Sequence, residues 1–302
     1  MPRTLGEGSW YLRAVDLPVF RHESVNPLNP ASLEIAPELV EKYLVEFLRD
    51  EVIRQRKMTR VVLGLSGGID SAVVAYLASS AFGPSNVLAF LMPYKISSPS
   101  SLSDAELVVG ELGIESRVID ITPMVDGYVS RYEDGISSMR LGNICSRCRT
   151  TILFDQSAEV SGIPLGTGNK SERLLGYYTW HGDDAPPVNP LGDLFKTQVY
   201  QLARHLGIPE SLISKPPSAD LVAGQTDESD YGVGYAEIDV VLNALVHGYS
   251  KEQVLEQGIT EAHFDLIERR LSGTHCKRRT ATVAMLSDNA IGEYYLRPVD
   301  YR

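Results

Sequence analysis

Between residues 61 and 121, short apolar runs alternate with helical patterns, and this alternation constrains the fold more than any other property of the chain. The pattern predicts strands at Val61–Leu65, Val87–Met92 and Arg117–Ile121, separated by helices at Ala72–Ala81 and Ser103–Leu112. Strands joined through helices pair in parallel, because a parallel neighbour needs a crossover of a dozen or more residues. The expected fold class is therefore α/β, a doubly wound parallel sheet with helices on both faces. Ligands of such sheets bind at the carboxyl ends of the strands.

The first strand hands over to its helix through Ser66-Gly67-Gly68-Ile69-Asp70-Ser71. Two glycines let the backbone approach an anion closely, and the first turn of the helix offers unpaired N–H groups at the positive end of its dipole. Asp70 adds a hard oxygen donor suited to magnesium. Taken alone, a Gly-Gly pair between strand and helix is also compatible with a simple tight turn. The segment lacks the Gly-Lys-Ser/Thr ending of a Walker A loop.

Residues 1–32, with Pro18, Pro27 and Pro30, read as an irregular N-terminal arm, and residues 33–302 as a single domain. Pro37 suits the first turn of a helix whose apolar face runs Leu39, Val40, Tyr43, Leu44, Phe47 and Leu48. Further along, a helix is predicted over Asn143–Val160, a short strand at Pro164–Leu165 and a loop over Gly166–Glu172. A Gly/Pro-rich loop at Gly182–Gly192 precedes a helix at Lys196–Leu206. Lys215–Gly234, rich in Pro, Gly, Ser and Asp, reads as a mobile lid. Additional C-terminal helices are expected near Ala236–Val246, Lys251–Gln257 and Glu261–Leu271.

With 28 Lys and Arg against 39 Asp and Glu, the chain carries a net charge of −11, which gives no electrostatic support for nucleic acid or an acidic membrane as partner. No apolar run is long enough to span a bilayer, and Met1–Trp10 lacks the apolar stretch of a secretory signal. Three cysteines do not make a disulfide scaffold, so a cytoplasmic location is expected. The six scattered histidines are assigned no catalytic role.

The chain carries, in order, LSGGIDS at 65–71, GNxxxRxR at 142–149, GTGNKSE at 166–172, GYYT and GD at 176–183, NPLGDLFKTQV at 189–199, KPPSADLxxGQTDE at 215–228 and Lys277-Arg278. The SGGxDS loop resembles that of the N-type ATP pyrophosphatases, and the ordered set resembles ammonia-dependent NAD synthetases over most of the chain. The resemblance implies that ATP adenylates the nicotinate carboxylate of deamido-NAD, expelling pyrophosphate, and that ammonia then displaces AMP. It implies Asp70 and Glu172 as magnesium ligands, acting with Lys196 in catalysis. It places Gly64, Leu65, Ser66, Gly67, Gly68, Ile69, Asp70, Ser71, Thr167, Lys196 and Ser218 at ATP. On the deamido-NAD side it places Asn143, Arg147, Tyr177, Trp180, Asp183, Cys276 and Lys277. It also implies a homodimer. With about sixty residues ahead of the loop strand, no glutaminase domain is expected, so ammonia comes from solution or from a separate protein.

The pattern departs at the acceptor end. Relatives commonly carry lysine where this chain has Trp180, aspartate where it has Pro187 and histidine where it has Cys276. Cys145 and Cys148 form C-x-x-C in the acceptor-side helix, and with Cys276 they offer an alternative reading. In it the three thiols hold zinc or a cluster, and a related pyrophosphatase adenylates another acceptor, with sulfur transfer. The competing reading of Cys145 and Cys148 is as small core residues.

Overall fold

The computed structural model describes residues 26–216, 231–279, 282–284 and 286. Most of the N-terminal arm, most of the expected lid at 215–234 and Ser218 lie outside the described residues.

Four parallel strands form one sheet in the order β3-β2-β1-β4: β1 Arg60–Gly64, β2 Val87–Leu91, β3 Glu115–Val118 and β4 Gly162–Pro164. The chain winds outward from β1 to β3 and then returns to the other side of β1. The β1/β4 boundary is therefore the point where strand order reverses, the place where sheets of this kind bind ligands beyond the carboxyl ends of their strands.

Helices cover both faces, as expected, because successive strand side chains alternate. Val61, Leu63, Val87, Ala89 and Leu91 face a core shared with α1 Pro37–Arg49, α2 Ile69–Phe82 and α3 Pro99–Leu112. Val62, Leu88 and Phe90 face the opposite core, with α4 Thr122–Tyr132 and α5 Ser138–Glu159. Each fully buried Val, Leu or Phe among them contributes roughly 1.5–3 kcal/mol of transfer free energy. The chain continues through α6 Lys170–Leu175, α7 Lys196–His205, which joins the first core, and α8 Glu210–Ile213. A third core gathers α9 Tyr235–Val246, α10 Lys251–Leu255 and α11 Glu261–Gly273 around Leu175 and Phe195.

Several boundaries differ from the sequence expectation. α2 starts at Ile69 rather than Ala72, with Gly68 as its N-cap, so Asp70 and Ser71 lie in the first helical turn. A six-residue helix begins at Lys170, where a loop was expected through Glu172, because Asn169 and Glu172 form a capping box. α5 starts five residues earlier than Asn143, where the Ser137 hydroxyl accepts the Arg140 N–H. α4 was not anticipated, although Pro123 in its first turn is a helix-start signal. In α1, Val45 is buried while Leu39 and Tyr43 are exposed, so the packed face is rotated from the one read along the sequence. The end of the arm is not free: Leu28 and Leu33 are buried against the third core, and Asn243 Nδ2 donates to Pro27 O at 3.1 Å.

Candidate active site

The Gly-Gly turn leaves β1 at the reversal point. Leu65 extends the ladder by donating its N–H to Phe90 O at 2.9 Å. Gly67 has φ of +77°, and a Cβ there would lie 2.1 Å from the Ser101 carbonyl oxygen, so only glycine fits. Ser66 and Ser71 brace the turn: Ser71 Oγ accepts from Ser66 N at 3.2 Å and donates to Gly68 O at 3.0 Å. Gly68 offers no side chain to cap α2, which leaves the first-turn amides to a ligand. Ile69 points into the core and anchors that turn, while Gly64 packs beside Met92.

The second wall is the 166–172 segment, which leaves β4. Gly166 N bonds to Val188 O at 2.8 Å, and Asn189 Nδ2 bonds to Gly168 O at 2.8 Å, so the two loops support each other. Half-buried Thr167 lies on this loop. Asn169 is completely buried. Its Oδ1 caps Glu172 N at 3.0 Å, while its Nδ2 donates to Asp70 Oδ1 at 3.0 Å.

Lys196, the first residue of α7, completes the cluster. It is 2% exposed, and its Nζ is ion-paired with Asp70 Oδ2 and lies 3.8 Å from Glu172 Oε1. Burial disfavours the ammonium, but the Asp70 and Glu172 carboxylates outweigh it and hold the lysine pKa above the ordinary value. Three candidates separated by up to 126 positions are thus brought together.

Two carboxylates gathered on one buried cation form a locus that attracts positive charge, and their oxygens are the hard donors magnesium favours. Among the described residues no group of three or more His, Cys, Asp or Glu could hold a metal. The donor set fits an ion that takes few protein ligands and fills its shell with phosphate oxygens and water.

The acceptor side is built by α5 and the 176–186 loop. Thr179 Oγ1 donates to Asn143 Oδ1 at 2.8 Å, and Ser146 Oγ donates to Asp183 Oδ1 at 2.7 Å. Arg147 Nη2 donates to the Trp180 carbonyl at 2.9 Å. Trp180 is 40% exposed and stacks on His181, with centroids 4.9 Å apart. Tyr177 turns away to pack on Tyr231 in the third core, while Tyr178 lines a cleft with Gly168, Glu172, Arg173, Asp183 and Asp184. Glu172 of the carboxylate cluster and Asp183 of the acceptor side thus share the lining of one small cleft. Lys277 Nζ donates to the carbonyls of Gly176 and Tyr178 and lies 4.4 Å from the Tyr178 ring, and burial lowers its pKa.

The three cysteines do not form the metal-holding group of the alternative reading. Cys145 is buried in the second core, Cys148 packs against it and Cys276 is exposed. Burial pushes the Cys145 and Cys148 thiols up, away from the thiolate a metal needs.

Arg173 and Asp239 lie outside the candidates that the sequence motifs supply. The signal for Arg173 was its place directly after Glu172. For Asp239 it was an acid within the apolar run Ile238–Leu242, and the carboxylate is completely buried at the start of α7.

The NAD synthase family model matches residues 40–281. An NH(3)-dependent NAD(+) synthetase of Chlorobium phaeobacteroides strain BS1 is 45% identical over 269 residues, covering 88% of this chain and 95% of the relative. One from Fusobacterium nucleatum is 46% identical over 255 residues, covering 84% and 98%. Among solved structures, an NMN synthetase from Francisella tularensis superposes with a TM-score of 0.74 at 31% identity, covering 83% of this chain and 99% of that one. The NH3-dependent NAD synthetase of Campylobacter jejuni gives 0.71 at 31% identity, covering 83% and 100%. With matching motifs, matching fold and relatives of this closeness over nearly their whole length, the chain belongs to the NAD synthase family.

Proposed function

We infer that the protein amidates deamido-NAD to NAD with ammonia and ATP, through an acyl-adenylate, releasing AMP and pyrophosphate. The observation that carries this reading is the Asp70–Lys196–Glu172 cluster set beside the Gly-Gly turn and the amino end of α2. The nicotinate carboxylate oxygen attacks the α-phosphorus of ATP, and the bond to the bridging oxygen of the β-phosphate breaks. Negative charge moves to the leaving pyrophosphate, where the α2 amides and the Lys196 ammonium receive it. Magnesium, held by Asp70 and Glu172, would neutralise polyphosphate charge at the same place. Thr167 and Ser218 complete the ATP side on the strength of the motifs.

The nitrogen lone pair of ammonia then forms a bond to the acyl carbon, and the carbon–oxygen bond to AMP breaks. A proton must leave nitrogen, and Asp183 and Asp184 are carboxylates lining the cleft that can accept it. Arg147 keeps N–H groups beyond its bond to Trp180 for an acceptor phosphate. Asn143, Tyr177, Trp180, Cys276 and Lys277 belong to the same side by family pattern. The reading includes a single domain over residues 33–302, a homodimer, a cytoplasmic location, and ammonia from solution or a separate protein. Among the described residues no helix is long and apolar enough to cross a membrane.

The test supplies ATP, magnesium and ammonium with deamido-NAD or nicotinate mononucleotide, the second acceptor chosen because a structural neighbour is named an NMN synthetase. Formation of NAD, AMP and pyrophosphate in equal amounts, with deamido-NAD preferred, is expected. Preference for the mononucleotide, or pyrophosphate release with neither, overturns the reading.

A further inference from the structure

Asp239 is the one completely buried carboxylate among the described residues, and it lies on α9, outside every motif that carries the family pattern. Its two oxygens are both engaged. Oδ1 accepts from Ser171 Oγ at 2.5 Å, and Oδ2 accepts from the Thr197 backbone N–H at 2.8 Å. Ser171 Oγ in turn accepts from the Lys196 backbone N–H at 2.8 Å.

These bonds answer a local defect. The N-cap of α7 is Phe195, whose side chain has no oxygen, so the first-turn amides of Lys196 and Thr197 lack a cap from their own segment. The Ser171–Asp239 pair provides it, with Asp239 contributed from 42 positions further along. Ser171 immediately precedes Glu172, so the same pair ties the first turn of α6 to the first turn of α7. The carboxylate also places negative charge at the positive end of the α7 dipole. Burial raises Asp239 to about 6, a cost that a helix-start anion with two donors partly offsets.

We propose that Asp239, acting through Ser171, is a positioning residue that holds Lys196 in register with Glu172 and Asp70 for the adenylation step. This rests on the proposed function, in which that cluster receives the leaving pyrophosphate. Asp239 touches neither substrate nor the reacting atoms. Its influence therefore falls on the rate of pyrophosphate release and not on the affinity for the acceptor.

The test compares Asp239→Asn, Ser171→Ala and the double variant in the full chain, measuring pyrophosphate release, the KM values for ATP and deamido-NAD, and thermal midpoints. Each single variant is expected to lower kcat by about 10- to 100-fold through misplacement of the cluster, with KM for deamido-NAD unchanged. The double variant should lose little more than the worse single one, because both break the same linkage. Ser171→Ala removes one oxygen only, so it reports on the linkage even if Asp239→Asn fails to fold. Wild-type kcat in folded variants, multiplying losses, or a raised KM for deamido-NAD with intact kcat overturns the proposal. If the wild-type protein releases pyrophosphate only with another acceptor, the functional reading fails while the same comparison, made with that acceptor, still decides this one.

Discussion

Asn169 and Asp70, 99 positions apart, are joined by a 3.0 Å bond from Asn169 Nδ2 to Asp70 Oδ1, while Asn169 Oδ1 caps the helix that carries Glu172. One buried residue thus holds both acids: its side-chain amide donates to Asp70, and its backbone N–H donates to Glu172 Oε2 at 3.1 Å. Asn169→Asp keeps the cap acceptor but sets a second anion against Asp70, so pyrophosphate release should fall sharply. Asn169→Ala loses the cap as well, and its unfolding free energy should drop by about 1–2 kcal/mol more than a neutral surface change. Steady-state kinetics with urea titrations distinguishes the two losses; wild-type turnover in Asn169→Asp would refute this orientation role.

Lys196 is the buried counter-ion shared by two partly exposed carboxylates. Lys196→Met leaves Asp70 and Glu172 repelling each other without their shared cation, and because both carboxylates keep bonds to Asn169 and some contact with water, the stability loss should stay below the roughly 3–5 kcal/mol typical of a fully buried broken pair. Lys196→Arg should not restore turnover, because a planar guanidinium does not fit where the ammonium is 2% exposed. Recovery of activity by arginine would show that charge alone suffices.

Gly67→Ala should abolish ATP turnover and destabilise the fold by about 1–3 kcal/mol from backbone strain alone. Its φ of +77° disfavours any side chain, and the added carbon would meet the Ser101 carbonyl at 2.1 Å. Gly83→Ala is the comparison: φ is +79°, but nothing lies within 4 Å, so it should lose stability and keep turnover. Equal kinetic losses in both variants would contradict the assignment of the Ser101 contact.

Burial raises the Asp239 carboxyl from an ordinary 3.8 to about 6. Between those values the folded protein binds more protons than the unfolded chain, so this group's stabilising contribution is full below the lower value and fades as pH rises through the upper. Urea midpoints of wild type minus Asp239→Asn, followed from about pH 4 to pH 7, should therefore fall with rising pH. A difference that stays flat or climbs would show that the carboxyl is not raised.

Cys145 is buried among Val62, Leu88 and Phe90, so Cys145→Ser places a hydroxyl in an apolar core at a cost of about 1–3 kcal/mol. Cys148→Ser, at the edge of that core, should cost less. Neither should change metal content, since the three thiols form no metal-holding group. Stoichiometric zinc or iron in the purified protein, lost with either variant, would revive a cluster.

Much of the fold was legible because its determinants are local. The alternation of apolar runs placed β1 and β2, and the Gly-Gly turn marked the mouth of the sheet. Boundaries slipped where a cap decided them: Gly68 for α2, and the Asn169–Glu172 pair for α6. The edge strand β3 was misplaced because all four of its residues are exposed and carry no burial pattern. The C-x-x-C spacing of Cys145 and Cys148 leaves a metal reading open beside the favoured core reading, since spacing alone does not say which way a helix face turns.

The residue order alone determined the family and the parallel sheet and singled out Asp70, Glu172 and Lys196 as candidates, because those depend on short motifs and on side-chain periodicity. Only the tertiary structure decided that Asn169 orients Asp70, that Asp239 supplies the missing cap of α7, and that Tyr178 rather than Tyr177 lines the cleft. Those relationships join positions tens of residues apart, and what selects them is the need to pair every buried polar group once the helices have packed.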